Sequence, residues 1–76
     1  MISIGRSGNN KIVLKDPYIS KNHLKIVEDE GDFYVEDLNS ANGTYINGEK
    51  IMDAVKIKNG DRIKIGQVEF LYVDRE

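Results

Sequence analysis

Two Asn-Gly dipeptides, Asn42-Gly43 and Asn47-Gly48, are separated only by Thr44, Tyr45 and Ile46, and nothing else in the chain limits its folding as sharply. Asn and Gly accept positive φ at little steric cost, so each dipeptide marks a forced turn. The three residues between them leave room for one very short strand. A chain that bends twice in this space builds a surface of loops. Loops carried on a rigid β scaffold are where binding function usually resides.

Apolar alternation on either side supplies the scaffold. Short strands are expected at Met1–Gly5, Lys11–Leu14, His23–Val27, Phe33–Leu38, Glu49–Ile51, Ala54–Ile57, Arg62–Gly66 and Gln67–Val73. Between them lie turn signals: Ser7–Asn10, Asp16-Pro17, an acidic hairpin turn around Gly31, and Asn59–Asp61. Alternation puts Leu24 and Ile26 on one face, with His23 and Lys25 on the other. It points Ile63 and Ile65 inward with bases outward, and groups Val68, Phe70 and Tyr72. Apolar residues nowhere recur at helical spacing over three turns. The fold class is therefore all-β, an antiparallel β-sandwich of many short strands.

Seventy-six residues make one small domain, spanning 1–76, and a domain of this size buries only about 60% of its unfolded surface. The absence of cysteine excludes disulfides and thiolate-bound zinc and suits a reducing compartment, so a cytoplasmic location is expected. One histidine and no calcium-loop pattern argue against a metal site, and no cofactor is expected. No apolar run is long enough for a transmembrane helix, and the start lacks the apolar segment of a signal peptide. The net charge of −2 disfavours broad nucleic-acid binding, which needs many clustered bases. Its distribution is more telling. Up to residue 27, Arg6, Lys11, Lys15, Lys21 and Lys25 stand against Asp16 alone, whereas residues 28–37 carry only acids. Either the basic region attracts an anion, or the domain has two oppositely charged solvated faces.

Gly5-Arg6, Ser20-x-x-His23 and Asn42-Gly-Thr-x-x-Asn-Gly48, with Asp37-Leu38 and Gly60-Asp61-x-Ile63 and Gly66, resemble the forkhead-associated (FHA) domain family. The likeness runs from the first strand to the last, in order. It implies a β-sandwich whose loops at one end recognise phosphothreonine in a partner protein, a mode that depends on capturing a phosphorylated motif. It also implies a non-enzymatic module that recruits partners after a kinase has acted. Such a module is expected to be monomeric unless an exposed edge strand pairs.

A phosphothreonine carries about −1.5 to −2 charges and three strong acceptor oxygens. A guanidinium such as Arg6 can bond it bidentately; the alternative is a surface arginine at a strand end. The resemblance implies phosphate contacts for Arg6, Ser20 and Lys21, and a bond from Asn42 to the ligand backbone. Ser20 could otherwise bond only its own backbone, and Asn42 could serve only as a turn residue in the left-handed region. Structural support is expected from Gly5, His23, Gly43, Thr44, Asn47 and Gly48. No cysteine or recognisable acid–histidine–nucleophile set accompanies His23, so no catalytic residue is assigned, and the resemblance implies a partly buried structural role for it.

Two features depart from the family pattern. Ala41 occupies a position that is often Ser or Thr, and losing that hydroxyl would weaken phosphate binding by roughly 1.5–3 kcal/mol. Only four residues precede Gly5, where members usually carry further strands. Either the domain is a minimal one lacking those strands, or the chain is a piece of a larger protein, with an edge open to β-pairing. These departures motivate a rival reading, a phosphate-independent interaction or structural module on the same fold.

Overall fold

Wherever apolar and polar residues alternate, the chain is extended. The computed structural model describes residues 1–74; the last two residues of the expected 1–76 domain lie outside these. The described residues contain no helix and form nine strands: β1 (Ile2–Gly5), β2 (Ile12–Val13), β3 (Leu24–Asp29), β4 (Asp32–Asp37), β5 (Thr44–Ile46), β6 (Glu49–Lys50), β7 (Val55–Lys56), β8 (Arg62–Ile65) and β9 (Val68–Leu71). They make a five-stranded sheet, β2-β1-β3-β4-β7, and a four-stranded sheet, β6-β5-β8-β9. The expected sandwich is present. All pairings are antiparallel except β1–β2, which is parallel through Ile4–Ile12 and Gly5–Val13.

Between the sheets the core is nearly all isoleucine. Ile4, Leu24, Val35, Ile46, Ile63 and Ile65 enter it from strands, and Ile19, Ile51 and Ile57 from connections. β-Branched side chains fit a pleated surface because it leaves their stiff χ1 rotamers unstrained. Burying each contributes about 1.5–3 kcal/mol relative to exposure.

Turn chemistry explains the hairpins. Asp29 pairs with Asp32, and Ile46 with Glu49, so each connection is two residues long. Both residues of each are left-handed: Glu30 and Gly31 at φ 53° and 86°, Asn47 and Gly48 at 52° and 88°. This is the type I′ geometry that matches strand twist. The Asn59-Gly60 turn behaves differently. It carries the chain from β7 in one sheet to β8 in the other, so it closes no hairpin.

One expectation from alternation fails. His23 was placed with Lys25 on the outer face, yet its side chain is completely buried. The residue lies just ahead of β3, so strand pleat does not fix its direction.

The register collects loops at one end. β1 and β4 finish there, at Gly5 and Asp37, on either side of the start of β3 at Leu24. In the other sheet, Thr44 begins β5 opposite Ile65, the end of β8. The connections 6–11, 14–23, 38–43 and the β8–β9 turn therefore share a rim.

Candidate functional site

The rim is built around one segment, Tyr18–Lys21. Each of its four successive carbonyls accepts a hydrogen bond from a distant part of the chain. Tyr18 O receives Asn42 Nδ2 at 2.9 Å, and Ile19 O receives Arg6 Nε at 2.9 Å. Ser20 O receives Arg6 N at 3.0 Å. Lys21 O receives Ser7 N at 3.1 Å and Asn10 Nδ2 at 2.6 Å. Arg6, Ser20, Lys21 and Asn42 thus meet on one short stretch of backbone.

Gly5 makes this approach possible. A Cβ there would collide with the Lys21 carbonyl and lie 2.7 Å from Asn10 Nδ2. Its role is close packing; it is not among the residues with positive φ. Arg6, which follows, spends only Nε on Ile19. No carboxylate among the described residues pairs with its guanidinium, so its terminal nitrogens remain available as a planar fork. Lys21 is exposed and is likewise in no ion pair among the described residues.

Ser20 is held from two sides. Its N–H donates to His23 Nδ1 at 3.0 Å, and its Oγ accepts from Ala41 N at 2.9 Å. A hydroxyl that accepts through a lone pair keeps its O–H to donate. His23 Nε2 lies 2.9 Å from Gly43 O. Since a carbonyl only accepts, Nε2 bears the proton and Nδ1 is the acceptor. Both ring nitrogens are therefore engaged in joining the Ser20 loop to the Gly43 loop.

The Asn39–Gly43 loop is organised by Asp37. Its Oδ1 accepts from Ser40 Oγ at 2.6 Å and from Thr44 Oγ1 at 2.7 Å, and its Oδ2 from Ser40 N at 3.0 Å. Ser40 Oγ in turn accepts from Gly43 N at 2.9 Å. Burial works against the charge on Asp37, but the hydrogen bonds from Ser40 and Thr44 outweigh it and hold the carboxyl below its usual 3.8. Within the loop the left-handed residues are Asn39, at φ 58°, and Gly43, at φ 88°. Asn42 does not take the left-handed turn role offered to it; its side chain instead anchors Tyr18. Gly43 also sits beneath the Lys50 stem, where a Cβ would meet Cε at 2.9 Å.

Asn47 and Gly48 do not join these loops. They form the turn at the other end of β5, where Asn47 Nδ2 donates to Asp61 Oδ1 and Asn47 Oδ1 accepts from Arg62 N, each at 3.0 Å. Three anchors of the rim were missed in the sequence: Asn10, Asp16 and Asp37. Asp16 accepts from Tyr18 N and from Gln67 N, both at 2.8 Å, tying the Ser20 loop to the β8–β9 turn. Gly66 admits this contact, since a Cβ there would press on Ile19 and Asp16. A local cue existed for Asp37, because Ser three residues after Asp is the pattern of a side-chain-capped turn. No comparable cue marked Asn10.

Comparison with known proteins gives the family and the fold. A profile of the FHA domain matches residues 2–66. The chain is 39% identical over 66 residues to the FHA domain-containing protein FhaB of Mycolicibacterium smegmatis, covering 87% of this chain and 43% of FhaB. It superposes with a TM-score of 0.92 and 36% identity on EmbR of Mycobacterium tuberculosis in complex with a low-affinity phosphopeptide, covering 95% of this chain and 19% of EmbR. The FHA domain of CT664 from Chlamydia trachomatis gives a TM-score of 0.92 at 31% identity, over 99% of this chain and 76% of that one. This chain thus spans less than half of FhaB and about a fifth of EmbR.

Proposed function

This chain belongs to the FHA domain family, and from that premise we propose that its rim binds phosphothreonine peptides of a partner protein without turning them over. The observation that carries the reading is the meeting of Arg6, Ser20, Lys21 and Asn42 on Tyr18–Lys21. The Arg6 fork takes two phosphate oxygens, the free O–H of Ser20 donates to one of them, and Lys21 adds a mobile positive charge. Asn42 exchanges hydrogen bonds with the ligand backbone beside the phosphorylated residue. His23, Asp37, Asn10 and Asp16 position these groups. His23 spends both ring nitrogens on backbone groups of two loops, which supports a structural role in a site that binds. A cytoplasmic location fits this reading, because the kinases that write the mark draw on ATP.

The reading is tested by titrating the protein calorimetrically with a degenerate phosphothreonine peptide pool, alongside its phosphoserine and unphosphorylated counterparts. Saturable binding confined to the phosphothreonine pool is expected. Arg6→Ala should weaken it at least about a hundredfold, equivalent to ~3 kcal/mol, with the circular dichroism of a folded β protein retained. Equal binding of all three pools would replace this reading with the phosphate-independent interaction module. Ala41 favours that rival, since its side chain offers no hydroxyl to the phosphate.

A further inference from the structure

The outer faces of the two sheets treat their charges differently. On the five-stranded sheet, Lys25 pairs with Glu36 at 3.5 Å and Lys56 with Asp32 at 3.4 Å. On the four-stranded sheet, register sets Lys50, Tyr45, Lys64 and Glu69 in one row across β6, β5, β8 and β9. Arg62, two residues before Lys64 on β8, shares their face. Three bases stand there against one acid, and none of the three is in an ion pair among the described residues. With three bases against Glu69 alone, this face is a net positive strip on a mildly acidic domain.

A groove connects this strip to the rim. It encloses about 430 Å³ and runs from Tyr18 and Asn42 past Tyr45 to Arg62, Lys64 and Glu69. Tyr18 is 55% exposed, so its ring offers an open apolar wall at the mouth. A peptide held at Asn42 has this groove as its continuation.

We propose that the outer face of the four-stranded sheet is a docking strip for acidic residues flanking the phosphothreonine, with Lys64 and Arg62 as its selecting charges. The proposal rests on the phosphopeptide reading above and adds a second determinant to it. Selectivity arises because opposite charges attract along the groove, whereas a basic flank meets like charge. Glu69 limits the preference by repelling an acidic flank from the β9 side.

The test uses phosphothreonine peptides whose flanks, on each side in turn, are all Asp/Glu, all Ala/Ser or all Lys/Arg. Binding is measured by fluorescence anisotropy to the wild-type protein and to the Arg62→Ser, Lys64→Ser double variant. The acidic flank on one side should bind about tenfold tighter than the Ala/Ser flank. That gap should shrink as salt rises from about 50 mM to about 500 mM. In the double variant it should vanish while Ala/Ser-flanked affinity and the thermal midpoint stay unchanged, and Glu69→Gln should widen it. Equal affinity for acidic and Ala/Ser flanks overturns the proposal. So does a gap that survives in the double variant, which would assign the preference to Lys15 and Lys21. If the Ala/Ser-flanked peptide binds no better than its unphosphorylated form, the phosphate reading itself fails and this proposal falls with it.

Discussion

The two ends of the sandwich are built from similar chemistry and held in different ways. At the end carrying Asn47, Asp61 accepts from Asn47 Nδ2 and Lys58 N, and Asn47 accepts from Arg62 N. These bonds extend the β5–β8 ladder, which already sets Ile46 opposite Ile63. At the rim, the segments around Arg6, Asn10, Ser20 and Ser40 lie outside the strands, and backbone bonds join only some of them, as Arg6 N to Ser20 O and Ser7 N to Lys21 O. Side chains bonded to backbone complete the hold: His23, Asn10, Asp16, Asp37 and Asn42. At one end side chains reinforce a ladder; at the other they shape loops that lie outside the strands. A binding surface needs backbone and side chains not used up by a sheet, and the rim obtains its shape from polar side chains, of which His23 and Asn10 are buried.

The largest test of this contrast is His23→Ala. It leaves Ser20 N and Gly43 O without their partner in a completely buried site, and should cost about 3 kcal/mol. In thermal denaturation that is a drop of roughly 12–24 °C for a domain of this size, accompanied by weakened phosphopeptide binding. A loss under about 1 kcal/mol would show that the rim has other supports.

Asn47→Ala should cost less, about 2 kcal/mol, from two lost hydrogen bonds and an alanine forced to positive φ. Phosphopeptide affinity should stay within about twofold, well under 1 kcal/mol. Parallel loss of affinity would mean that the ends are not independent.

Ala41→Thr tests the rim from the other direction. A hydroxyl restored beside Ser20 should tighten phosphothreonine binding by roughly 1.5 kcal/mol, about tenfold, with the thermal midpoint nearly unchanged. Unaltered affinity in calorimetry would show that the added hydroxyl does not reach the phosphate.

The smallest effect separates the ends by pH. Hydrogen bonds from Asn47 and Lys58 hold Asp61 below 3.8, as those from Ser40 and Thr44 hold Asp37. A carboxyl whose folded pKa lies below its unfolded value contributes stability above that unfolded value, and the contribution is lost as pH falls through the folded one. Urea midpoints should therefore fall as pH is lowered below about 4. Asp61→Asn should flatten that decline and spare phosphopeptide affinity at neutral pH. A midpoint insensitive to acid would remove both carboxylates from the account.

What could be read from the chain follows the same division. Asn47-Gly48, Gly31 and the alternation of Arg62–Ile65 were legible because tight turns and pleats depend on adjacent residues. The Asn59 turn was legible as a turn, but nothing local told it to change sheets. At the rim, Asn10 meets Lys21 and Asp16 meets Gln67 through backbone groups that every residue carries. Such partners leave no mark in the sequence. His23 was recognised as structural only through resemblance, and its complete burial contradicted the strand parity applied to it.

The four engaged carbonyls of Tyr18–Lys21 also bear on how quickly and how selectively a ligand is taken. A loop whose backbone is already held has little backbone entropy left to surrender on binding, which spares a slow rearrangement before capture. Association is then governed by diffusion and charge. Such a loop cannot remould itself around a poor match, so discrimination among ligands rests on a fixed shape that they must fit.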